Sequence, residues 1–221
     1  MVAPILVTLL FLALITILVL AVINQKKKER ARTQSLQKMA EQLGWSFEPV
    51  VPLDWLPEIE GFALFEQGHN RQIKNVMYKE RDEINITVFD FIYSMGRGKR
   101  VTTYFQSVVH FEPAGQSFPE FTLRPEGAFD KMFSTFGYQD IDFGQRPEFS
   151  RQYILRGKDE AAIRQTFTDR LLAFYESLPG TFTDAADNRL FMYRPGHRLQ
   201  PEEIESEVER GRQILALMKQ Y

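Results

Sequence analysis

Hydrophobic and polar positions change rhythm twice along the chain. From Ile5 to Ile23 every residue is apolar except Thr8 and Thr16. A run without a polar face does not suit a helix lying on a water-exposed domain. Its nineteen residues cover about 28 Å as a helix, close to the ~30 Å of bilayer hydrocarbon. Residues 1–23 are therefore expected to form a transmembrane anchor, with Pro4 in the first turn, where its missing N–H does no harm. The rival reading is a cleaved signal peptide, which has a basic start, a shorter apolar run and a small-x-small exit. No Lys or Arg precedes this run, and Leu20-Ala-Val-Ile-Asn24 offers no such exit. Between residues 24 and 44 the rhythm becomes helical, with Leu36, Met39, Ala40 and Leu43 on one stripe and Gly44 as a natural stop. This basic juxtamembrane stem is expected to continue the anchor as one helix over about residues 5–43.

After Gly44 the pattern turns to short apolar runs punctuated by Pro49, Pro52 and Pro57. Strands are predicted near Phe62–Gln67, Lys74–Lys79, Ile84–Ser94, Arg100–Phe111, Glu120–Arg124 and Tyr153–Arg156, with a short helix over Phe129–Phe136. Asp159 is placed to cap a helix whose stripe is Ile163, Phe167, Leu171, Phe174 and Leu178. Thr181–Thr183 and Arg189–Tyr193 flank Asp184-Ala-Ala-Asp-Asn188, read as a hairpin tip. Pro201 opens a last helix carrying Ile204, Val208, Leu215 and Met218 on one side. Strands come first and helices later, so residues 45–221 are expected to be one α+β domain with a mainly antiparallel sheet and C-terminal helices.

The hairpin 84–111 is the clearest unit. With its turn centred near Arg97, Phe89 faces Phe105 and Tyr93 faces Val101. One face then holds Phe89, Phe91, Tyr93 and Phe105. The other is mixed and holds Asp90, Tyr104 and His110. Gly96-Arg-Gly-Lys-Arg100 reads as the tip, because the residues that follow are β-formers rather than the helix a phosphate loop requires. Phe118-Pro-Glu-Phe-Thr-Leu-Arg-Pro125 is bounded by prolines, which suits an edge strand.

Charge sharpens this division. Six basic against two acidic residues leave residues 24–44 at +4 and, with a chain total of −2, the remainder at −6. An acidic domain on a basic stem is a poor nucleic-acid binder, so no nucleic-acid partner is expected. Positive residues flanking a span stay on the cytoplasmic side, so Lys26, Lys27, Lys28, Arg30 and Arg32 predict a single pass through the inner membrane with the domain in the cytoplasm. The same five residues are the candidate membrane-surface contacts, with the lipid bilayer as partner. The chain has no cysteine, which removes disulfides, thiolate metal sites and a cysteine nucleophile.

Candidate chemistry is sparse. Asp90 lies on a strand between Val88 and Ile92, where a carboxylate needs a partner or a shifted pKa. Tyr104 is its expected cross-strand neighbour, and His110 lies on the same face. The functional reading makes Asp90, Tyr104 and His110 a weak catalytic set. The structural reading makes Asp90 a paired strand residue. His69, His110 and His197 share no metal-ligand spacing, and Asp140-Ile-Asp142 is a D-x-D with no supporting ligands, so neither metal nor cofactor is expected.

Taken together, Asn75-Val-Met77, Val88-Phe-Asp-Phe-Ile-Tyr93, Phe118-Pro-Glu-Phe-Thr-Leu123, Asp140-Ile-Asp-Phe143 and Phe149-Ser-x-x-Tyr153 resemble a group of uncharacterised bacterial proteins. Those proteins have one N-terminal membrane helix and a domain of unknown function. The resemblance covers roughly residues 36–220 and implies bacterial origin and membrane attachment, but no activity. Two functions stand open. One is a membrane-anchored, non-enzymatic module that binds a protein partner or acts as a scaffold. The other is a membrane-tethered, hydrolase-like enzyme with its site on the mixed face of the 84–111 hairpin. A weaker third is lipid sensing through Lys26–Arg32.

Overall fold

The computed structural model describes residues 2–56, 59–80, 83–98, 100–127 and 139–218, with side chains from residue 11 onward. The helix expected over Phe129–Phe136 lies outside the described residues. A single helix, α1 (Val2–Leu43), leads into β1 (Ser46–Val51), a 3-10 turn at Leu53–Trp55 and the one-turn helix α2 (Ala63–Glu66). Then come β2 (His69–Lys79), β3 (Ile84–Arg97), β4 (Arg100–Pro113) and β5 (Phe118–Pro125). The chain continues through α3 (Pro147–Gln152), β6 (Tyr153–Gly157), α4 (Glu160–Thr166), α5 (Asp169–Glu176), β7 (Phe182–Asp187), β8 (Arg189–Tyr193) and α6 (Ile204–Met218).

The eight strands form one sheet in the order β1-β2-β3-β4-β8-β7-β5-β6, with every neighbouring pair antiparallel. One face packs against α1 and α3–α6 through Leu36, Ala40, Val88, Phe111, Leu171 and Leu215. The opposite face is covered by α2 and the segment before it, through Leu56, Phe65, Phe89, Phe91 and Phe191. Cover on both sides explains why β3 reads as a near-continuous apolar run instead of an alternating one.

The expected transmembrane anchor is corrected. Among the described residues no helix is long and apolar enough to cross a membrane. From Asn24 onward the helix is polar or packs on the domain, and its stripe of Leu36 and Ala40 is buried in the core.

Other local expectations also shift. Phe62–Gln67 forms the turn of α2, not a strand, and its Phe62, Leu64 and Phe65 bury on the second face. β1 forms despite Pro49 because it lies at the sheet edge, where a missing donor costs no ladder bond. β5, expected at an edge, lies between β7 and β6, and a bulge between Phe118 and Phe121 accommodates Pro119. Asp159 caps its helix by accepting from the Ala162 N–H at 3.0 Å, but the helix breaks at Thr168, whose extended backbone (ψ 163°) starts α5. The turn between β7 and β8 is tighter than the expected tip, since Ala186 pairs with Arg189 and Asp184 stays inside the ladder.

α6 lies close to the sheet because Gly211 has no side chain. A Cβ there would meet Phe111 Cζ at 2.1 Å. Gly211→Ala is expected to destabilise the fold by about 1–3 kcal/mol through overpacking, read by urea denaturation. An unchanged midpoint would show that α6 has room to move.

Candidate functional site

The hairpin register decides which polar residues meet. The β3–β4 ladder closes at Arg97↔Arg100, so Phe89 pairs with Val108, Asp90 with Ser107 and Tyr93 with Tyr104. This is three residues away from the register expected from a turn at Arg97. Gly96 is part of the ladder instead of the turn. It sits at φ 96°, and a Cβ there would meet the Arg100 carbonyl oxygen at 1.9 Å. An odd shift moves one strand's whole alternating set to the other face. Asp90 therefore lies on the α1 face, whereas Tyr104 and His110 lie on the opposite one, and the expected catalytic grouping does not exist.

Asp90 instead anchors α1. Arg32, 58 residues earlier, donates through Nε to Oδ2 and through Nη2 to Oδ1, each at 2.8 Å. Asn75 Nδ2 donates to Oδ2 at 2.9 Å, and Ser107 Oγ donates to Oδ1 at 2.7 Å. Four donors fill the acceptor capacity of the carboxylate and leave none for an acid or base step. Arg32 Nη1 also reaches the Leu199 carbonyl at 2.9 Å, and the Leu199 N–H donates to Ser107 Oγ at 3.0 Å. Asn75 holds a positive φ of 51° inside a β2 irregularity, and its side-chain oxygen accepts from Thr33 Oγ1 at 2.7 Å. One turn back along α1, Glu29 forms a two-pronged pair with Arg198 at 2.8 and 2.9 Å. The hydrogen bond from Arg198 holds the Glu29 carboxyl below its ordinary pKa.

Arg32 thus belongs to the interior of the fold and not to the basic surface expected of it. Lys26, Lys27, Lys28 and Arg30 are exposed. Beyond them α1 leaves the domain, and its apolar side chains from Phe11 to Ile23 face solvent on every side, with Phe11 62% and Ile17 64% exposed.

The other candidates are packed. His110 stacks on Phe191 with ring centres 4.4 Å apart, and burial, helped by the Arg189 charge, lowers its pKa from 6.5 to about 3. It stays neutral through the physiological range. Tyr104 stacks on Tyr93 at 5.2 Å. Six residues separate Tyr104 from His110, about 20 Å along a strand, too far to share a reacting atom. Asp140 pairs with Arg156. His197 lies 3.5 Å from Glu203, and His69 starts β2, where it pairs with Ser94.

A second buried cluster was hidden by the reading of Asp184 as a hairpin tip. Arg124 donates to Tyr193 OH at 2.8 Å and to Asp184 Oδ1 at 3.1 Å, and Tyr193 OH donates to Asp184 Oδ2 at 3.1 Å. Burial raises the pKa of both Asp184 and Tyr193. The one sequence signal was an arginine inside an apolar strand, which requires a buried acid somewhere in the fold.

No family model and no curated protein matches the chain. Among solved structures it is similar to the crystal structure of the mycobacterial trehalose monomycolate transport factor A, TtfA. The TM-score is 0.62 at 14% sequence identity, over 86% of this chain and 96% of that one. At this identity the likeness is one of fold, shared with a bacterial protein.

Two outcomes test the site. Asp90→Asn strips the buried guanidinium of its counter-charge and is expected to cost about 3–5 kcal/mol in urea denaturation; a loss below about 1 kcal/mol would remove Arg32–Asp90 as the seat of α1. For His110, the unfolded chain takes up a proton near pH 6.5 and the folded chain only near pH 3, so stability falls as pH drops through that window. His110→Phe keeps the ring stack and is expected to flatten the fall, seen as a smaller decrease in Tm between pH 7 and about pH 4.

Proposed function

We propose that the chain is a non-enzymatic accessory module whose domain holds a helical arm in place for a protein partner. The observation that carries this reading is the arm itself. Residues 11–23 of α1 are apolar on all sides and exposed, while the same helix is locked to the sheet at Glu29, Arg32, Leu36 and Ala40. An apolar helical surface of this extent marks an interaction site. The exposed Lys26, Lys27, Lys28 and Arg30 form a basic collar at its base, so the fitting partner is an apolar protein groove rimmed by acidic residues. The acid expected to support catalysis is taken up by hydrogen bonds and the imidazole by ring stacking, and the fold likeness to a protein described as a transport factor is in keeping with an accessory role.

The experiment places a photo-crosslinking residue at Leu14, Leu18 or Val22 of the full chain in cells, with Gln37 on the docked half as control. The expected product is an arm-specific adduct with another protein, mapped by mass spectrometry to an apolar segment flanked by Asp or Glu. It should be lost when Lys26, Lys27 and Lys28 are all changed to Glu. Adducts only with a second copy of the chain, only with lipid, or equally from Gln37 would overturn the proposal.

A further inference from the structure

The C-terminal helix closes a cleft unrelated to the arm. It has a volume of about 550 Å³ and lies between the end of α5, the connection to β7, the end of β8 and α6. That volume falls in the range of small-molecule sites, roughly 300–1,000 Å³. Phe174, Leu178 and Pro179 supply apolar lining, and Arg194 and Arg210 supply cationic lining.

The two arginines are paired in an uneven way. Arg194 Nη2 and Arg210 Nη1 both donate to the same atom, Oε2 of Glu207, at 3.2 and 2.6 Å. Glu207 is buried beneath them. Two guanidiniums share one carboxylate, so among the described residues one of their two positive charges has no acid bonded directly to it. Each guanidinium carries five N–H donors and spends one on Glu207, with no other hydrogen bond among the described residues. Their side chains are 31% and 43% exposed, so the remaining donors are within reach of a ligand. Glu209 lines the same cleft but forms no ion pair with either arginine among the described residues; it accepts from Gln213 Nε2 at 3.5 Å.

We propose that this cleft is a binding site for a small organic anion, a phosphate monoester or carboxylate on a compact apolar or aromatic body. The anionic end is held by Arg194 and Arg210 over Glu207, because planar guanidinium forks match such oxygens. The body lies against Phe174, Leu178 and Pro179. Glu209, on the same wall of α6, opposes the anion and limits its affinity.

Calorimetric titration of the full chain with phenyl phosphate tests the site, with inorganic phosphate and phenol as the two halves of the probe. Phenyl phosphate is expected to bind saturably and more tightly than inorganic phosphate, and phenol not to bind measurably. Arg210→Gln leaves Glu207 paired with Arg194 and should weaken phenyl phosphate binding about tenfold, the loss of one charge-assisted contact. Glu209→Gln should tighten it several-fold. Absence of phenyl phosphate binding, equal binding of phenol, or affinities unchanged by both substitutions would overturn the proposal. A thermal melt of each variant matching the parent confirms that the change lies in the cleft and not in folding.

Discussion

A carboxylate buried in the middle of a sheet must be matched by a cation, and the one hydrogen-bonded to Asp90 among the described residues, Arg32, arrives on α1. Taking both charges out of water costs several kcal/mol per ion, and their attraction offsets this only when the remaining donors and acceptors are also satisfied. That requirement accounts for the surrounding details. Ser107 completes one oxygen, Asn75 adopts left-handed backbone in β2 to complete the other, and the loop through Leu199 folds in to take the last guanidinium donor. A sheet with this residue is not fully built until the N-terminal helix is docked on it. Apolar contacts from Leu36 and Ala40 supply burial, but they tolerate sliding; the two-pronged charge pair does not.

The polar interior is divided by face. The Arg32–Asp90 network secures the helix, while Arg124, Asp184 and Tyr193 form a closed set within the other layer. In each, the carboxylate is held by hydrogen bonds to both of its oxygens. Between them the sheet is sealed by aromatic packing, with Phe65 set against Phe89, Phe91 and Phe191.

Much of the architecture could be read from the residues in order. The α+β class, the long hairpin, the Asp159 cap and the apolar stripe of α6 are local patterns, and local patterns survive folding. The oddity of Asp90 was legible as well, but its partner was not. Arg32 sits in a basic cluster whose other members are exposed, and nothing in its neighbourhood distinguishes it from Lys28 or Arg30. Register was lost to a single ambiguity: glycines at 96 and 98 permit more than one turn, and the odd shift between them sends Tyr104 to the far side of the sheet. The membrane-spanning anchor was inferred from hydropathy alone, and among the described residues no helix is both long and apolar enough to bear it out. β5 was expected at an edge because proline marks a missing donor, and a bulge satisfies that constraint as well as an edge does.

The continuity of α1 carries a mechanical meaning. Its 42 residues form one rod of about 63 Å with no break between the free apolar stretch and the clamped half. Whatever grips the far end cannot turn independently of the body. Each twist or tilt imposed there is delivered to a guanidinium wedged beneath the sheet, which makes the protein a stiff handle whose grip and head keep one fixed attitude.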